Sequence, residues 1–165
     1  ASTTNSDGFA LRELYWRCNY NLNFMGKAIT LDGGEGGRDA TAIDCADVGD
    51  TAPPKRALEM SSGETRDTVV KRLTIRGCRT TGVGGAVALH RAGNFPVRAG
   101  GHRRGASPTF DDVLIDDCYA EDGGGAFYVT YPSFPLFRGV SVRRSGCAVL
   151  VHASSIDWVG GDVSN

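Results

Sequence analysis

Between Val70 and Asn165 one short apolar phrase is written four times. It runs from Val70 to Ile75, Phe110 to Ile115, Phe137 to Val142 and Trp158 to Val163. Its first and sixth positions are always apolar; the fourth is apolar in three copies and Gly161 in the last. A second phrase alternates with it: Gly84-Gly-Ala-Val-Ala-Leu-His90, Gly124-Gly-Ala-Phe-Tyr-Val-Thr130 and Gly146-Cys-Ala-Val-Leu-Val-His152. Two interleaved phrases in constant order mark a repeat protein. Phe137 and Trp158 stand 21 residues apart, Gly125 and Cys147 22. That period, with short glycine-bounded apolar runs, suits one coil of a parallel β-solenoid and leaves no room for intervening helices.

Side chains alternate across a strand. Leu73, Ile75, Val113 and Ile115 are therefore expected inward, and Thr74 and Leu114 outward. Ile75, Ile115, Val142 and Val163 should form one column. Val70 and Phe110 are 40 residues apart, as are Gly85 and Gly125, an excess of about 18 over one coil. The excess is expected as a loop protruding over about 91–106, which costs little because closure entropy grows slowly with length.

Upstream, Phe9 to Cys18 has apolar residues at helical spacing after Asp7, a helix-capping residue type. Residues 1–22 are expected to cap the stack, since open strand edges invite association. First strands are expected at Asn23 to Leu31, Ala40 to Cys45 and Ala57 to Met60, with a polar loop at Asp50 to Lys55. The fold expected is all-β: a single-stranded right-handed parallel β-helix over 23–165, right-handed by the bias of parallel crossovers. The chain stops within its fourth phrase and is expected to be part of a longer one.

Net charge is -1, so no overall field favours nucleic acid. No apolar run approaches the roughly 20 residues of a membrane-spanning helix. Five cysteines leave at least one unpaired within the chain. Cys78 and Cys118 share one phase and would be neighbours about 4.8 Å apart. Stacked side chains point the same way, so reduced, buried thiols are expected there rather than a bridge.

Phe24-Met-Gly-Lys-Ala-Ile-Thr-Leu31, Ile43-Asp-Cys45, Ser61-Ser-Gly-Glu64 and Leu73-Thr-Ile75 together resemble the opening of β-helix proteins of the polymorphic outer membrane protein type. Ser107-Pro-Thr-Phe110 and Gly123-Gly-Gly-Ala-Phe127 are similar to that family's repeat, with Cys78 and Cys118 where it carries Asn. The resemblance spans about 21–165. It implies a secreted or cell-surface protein, structural or adhesive, with protein partners or neighbouring subunits in an extracellular assembly.

Chemistry is sparse. The expected loop carries Arg91, Arg98, His102, Arg103 and Arg104. Guanidinium groups bind carboxylates bidentately, so an anionic partner such as an acidic polysaccharide is the candidate ligand. Asp111, Asp112, Asp116, Asp117, Glu121 and Asp122 form an acidic run, with Asp116 expected outward. His90, Thr130 and His152 share one phase, but two coils separate the histidines by about 10 Å, too far for one metal. No catalytic residue, metal or cofactor is assigned. The expectation is a non-enzymatic extracellular module. The alternative is a carbohydrate-active enzyme, a polysaccharide lyase or glycoside hydrolase of the pectate-lyase-like type. Carboxylates and a basic group converging in an exposed groove would favour the enzyme.

Overall fold

The computed structural model describes residues 21–45, 55–91 and 105–164. Among them the secondary structure is all strand: β1 (Thr30–Asp32), β2 (Ala42–Asp44), β3 (Leu58–Met60), β4 (Val69–Arg76), β5 (Arg79–Thr80), β6 (Val87–Leu89), β7 (Thr109–Asp116), β8 (Tyr119–Ala120), β9 (Phe127–Thr130), β10 (Leu136–Arg143), β11 (Val149–His152) and β12 (Asp157–Ser164). The first phrase builds a six-stranded sheet in the order β1-β4-β7-β10-β12, with β2 also on β4. The second builds a four-stranded sheet, β11-β9-β6-β3, and β5 pairs with β8. Every pairing between these strands is parallel. From β6 onward the chain alternates between the two larger sheets, so each pass adds one strand to each.

Register follows the phrases. Val70 pairs with Phe110, Phe110 with Phe137 and Phe137 with Trp158. Ile75, Ile115, Val142 and Val163 form the column expected, and Ile43 extends it by one pass. Like residues stack because only an unbroken apolar column keeps water from the space between the sheets. Phe110, Phe127 and Phe137, all fully buried, meet with centroids 4.5 to 5.4 Å apart, and Trp158 lies edge-on to Phe137 at 5.2 Å. The 40-residue interval leaves no mark on this stack: β4 pairs with β7 and β6 with β9 in register.

A bend crosses the large sheet at the third position of each phrase. Arg72, Asp112, Gly139 and Gly160 there have φ of 56°, 52°, 57° and 69°. This left-handed conformation turns each long strand at the same place. In the first pass the bend opens into residues 33–41, which separate β1 from β2. In the smaller sheet Gly125 makes a side chain impossible: a Cβ there would lie 2.2 Å from the Gly146 carbonyl oxygen.

Two expectations need correction. Cys78 is bridged to Cys45, with Cα atoms 4.7 Å apart, while Cys118 is a buried free thiol. Neighbouring passes are close enough for a disulfide, and Cys45 stands opposite Gly77, so its sulfur meets that of Cys78 diagonally rather than stacked in one phase. Most of Asn23 to Leu31 is not strand: the Lys27 N–H closes a turn on the Phe24 carbonyl, and β1 begins only at Thr30. Leu22, at the end of the expected cap, makes an isolated parallel bridge to Leu58. The expected helix over Phe9 to Cys18 lies outside the described residues.

Candidate binding surface

Arg91 and Gly105 bracket the segment in which Arg98, His102, Arg103 and Arg104 lie outside the described residues. The return limb is tied down. Ser107 N–H donates to the Glu64 carbonyl at 2.8 Å, and Ser107 Oγ accepts from Phe134 N–H at 2.9 Å. Gly105 presses on the turn after β9, where a Cβ would meet Ser133 Oγ at 2.4 Å. That turn carries two exposed aromatic rings, Tyr131 (63 % exposed) and Phe134 (43 %). Arg66 donates to the Phe134 carbonyl and pairs with Asp157, holding the turn across the stack.

The outgoing limb leaves from a polar network. His90 Nε2 lies 3.3 Å from Glu59 Oε1, and its Nδ1 lies 3.2 Å from the Arg91 carbonyl oxygen. Glu59 in turn accepts from Arg56 at 2.9 Å, and Arg56 also donates to the Val83 and Gly84 carbonyls. His90 thus braces the root of the segment against β3. Thr130 and His152 are register partners, as the shared phase requires. Among the described residues no three His, Cys, Asp or Glu side chains gather as a metal site.

A second polar cluster lies over the bend of the large sheet. Residues 33–41 fold back onto it, with Thr74 Oγ donating to the Arg38 carbonyl at 2.7 Å. Thr74 is consequently buried although it alternates with inward neighbours, whereas its partner Leu114 is half-exposed. The Arg38 guanidinium reaches the Gly139 carbonyl and Ser141 Oγ, both at 3.3 Å, and Asp112 at 3.5 Å. Ser141 donates to Asp162 at 2.7 Å. Beside it Asp32 accepts from Arg72, Lys71 and the Gly34 N–H. The Arg72 bonds, then the Gly34 bond, hold its carboxyl well below the usual carboxylate range.

The acidic run does not form one patch. Asp112 faces Arg38, Asp116 accepts from Arg144, and Asp117 pairs with Arg79 at 3.1 Å. Asp116 faces outward but is largely covered, and its Oδ1 is buried with no hydrogen-bond partner among the described residues. Arg38 and the Arg56–Glu59–His90 network escaped the sequence reading. Their partners lie as far as 103 residues away, and no local phrase announces them. The third-position glycines, Gly139 and Gly160, were the one visible sign of the bend.

Compared with known protein families, curated proteins and solved structures, the chain matches none.

Proposed function

We propose that this chain is a right-handed parallel β-solenoid of the polymorphic outer membrane protein type. In this reading it is a non-enzymatic module of an extracellular or cell-surface assembly that holds an anionic partner. Acidic polysaccharide is the partner class that fits best. One observation carries the reading: the limb returning from the arginine-rich segment is pinned against a turn bearing exposed Tyr131 and Phe134. Aromatic faces stack on the apolar faces of sugar rings, while guanidinium groups take their carboxylates or sulfates. The in-register stack beneath supplies a rigid base, so little ordering entropy is spent there on binding.

The test is binding to immobilised polygalacturonate and to a neutral glucan, at low and high salt. Arg103→Ala with Arg104→Ala is expected to weaken polygalacturonate binding about tenfold or more, with a shallower salt dependence. Tyr131→Ala is expected to weaken it at all salt concentrations. Unchanged affinity in both variants would sink the reading.

The cluster of Asp112, Asp162, Ser141 and Arg38 supports a second reading, a carbohydrate-active enzyme working at the bend. Two carboxylates and a guanidinium meet on a surface there, as a lyase or glycosidase requires. Against it, the Arg38 guanidinium is already engaged by Asp112, Ser141 and the Gly139 carbonyl. Release of reducing or unsaturated ends from the same polysaccharides, lost in Asp112→Asn, would establish the enzyme and displace the binding module.

A further inference from the structure

Cys78 and Cys118 occupy one phase on successive passes, and Cys45, on the pass before, stands one residue short of it. Cys78 and Cys118 each stand two residues beyond a register pair, Arg76 with Asp116, and one before another, Arg79 with Tyr119. The Tyr119 N–H donates to the Cys78 carbonyl at 2.9 Å, which keeps the two backbones adjacent between those pairs. Cys45 directly follows Asp44, the register partner of Arg76, so it stands opposite Gly77, and its N–H donates to the Arg76 carbonyl at 2.9 Å. On the next pass Ser145 takes the same place, with its Oγ accepting from the Cys118 N–H at 3.2 Å. Cys78 therefore has a cysteine on either side, Cys118 at its own position and Cys45 opposite Gly77. The bridge that joins it to Cys45 spans a Cα separation of 4.7 Å, the separation that neighbouring passes impose throughout the stack.

We propose that Cys78 is the shared member of a two-position disulfide, and that the bridge moves from Cys45 to Cys118 by internal thiol–disulfide exchange. The Cys118 thiol loses its proton to solvent and its sulfur attacks Cys78 Sγ. The Cys78–Cys118 bond forms as the Cys78–Cys45 bond breaks. Cys45 leaves as a thiolate and takes up one proton. One disulfide and one thiol stand on each side, so no oxidant or reductant is consumed.

The two positions differ in which thiol they leave free. Cys118 is enclosed, 1 % exposed, donating weakly to the Asp116 and Ile75 carbonyls. Cys45 sits on β2's pass, whose strand pairs only with β4 among the described residues. The exchange thus moves the free thiol from Cys118, 1 % exposed, to Cys45, 7 % exposed, beside a strand with one neighbour among the described residues. Burial, helped by Asp117 and Asp116 and opposed by the Cys78 N–H and Arg79, pushes the Cys118 thiol up to about 12. The attacking thiolate is scarce at neutral pH, so the bridge is kinetically held, and the exchange rate should rise about 100-fold from pH 7 to pH 9.

The experiment is disulfide mapping by mass spectrometry on the native chain, incubated at pH 7 or pH 9 without added thiol, then acid-quenched and alkylated. The expected result is a Cys78–Cys118 peptide with alkylated Cys45, appearing faster at pH 9 and absent in Cys118→Ser. In Cys45→Ser, oxidative refolding should yield the Cys78–Cys118 bridge with an unchanged circular dichroism spectrum. If only Cys45–Cys78 is found at both pH values, or Cys118 bridges Cys18 or Cys147 instead, the proposal is overturned. Should Cys45→Ser fail to fold, the native-chain mapping decides alone.

Discussion

At Asp32 one carboxylate gathers the Arg72 guanidinium at 2.9 and 2.6 Å, the Gly34 N–H at 2.9 Å and Lys71 at 3.3 Å. These donors favour the ionised form, so the folded state releases this proton more readily than the unfolded chain. The contribution to stability is present above about pH 4 and is lost as pH falls through the lowered folded-state value. Asp32→Asn should therefore melt below the parent at pH 7 and converge with it towards strongly acidic pH. A constant gap across that range would show that lost packing, not charge, is responsible. Gly125 makes a steric demand instead. A methyl group there meets the Gly146 carbonyl oxygen at 2.2 Å, on a backbone that other hydrogen bonds hold in place. Gly125→Ala is expected to cost about 1–3 kcal/mol, read from denaturant midpoints.

The long strands of the large sheet owe their shape to one left-handed residue each. Asparagine, aspartate and glycine tolerate that conformation best, which suits Asp112, Gly139 and Gly160. Arg72 does not belong to that class, and its bonds to Asp32 hold it there. Beneath the bend the aromatic column unites strands of both sheets. Phe137 touches Phe110, Phe127 and Trp158, so Phe137→Ala should cost about 3–5 kcal/mol and lower the melting temperature. The segment 92–104 is the opposite case. The β4–β7 and β6–β9 registers hold on either side of it, so replacing it with a short Gly-Ser turn should leave the strand signal in far-ultraviolet circular dichroism unchanged. Loss of that signal would mean that the segment helps to build the stack.

Across the whole molecule, in-register parallel stacking raises an electrostatic problem, because each side chain faces its counterpart on the next pass. The outer face meets it with alternating sign. One row reads Asp32, Lys71, Asp111, Arg138, and another Asp44, Arg76, Asp116, Arg143, each partner in register with the next. Opposite charges directly across a sheet stabilise and like charges destabilise, each by up to about 1 kcal/mol. Arg76→Asp would set three carboxylates in a row. It should cost about 1 kcal/mol at low salt and less at high salt, because these exposed charges are screened. A salt-independent loss would count against the ladder.

The sequence by itself determined the apolar columns and the parallel register of the repeated phrases. Each is a matter of phase, and phase is written in the spacing of apolar residues. Ile75, Ile115, Val142 and Val163 were legible as a column because a single period relates them. The candidate surface was half legible: its arginines stand in a local cluster, but Tyr131 and Phe134 lie on another pass. Only the tertiary structure set their turn against Gly105 and Ser107, laid Arg38 over Ser141 and joined Cys45 to Cys78. Those pairings depend on side-chain direction and on contacts far apart in the chain, which a one-dimensional period does not record.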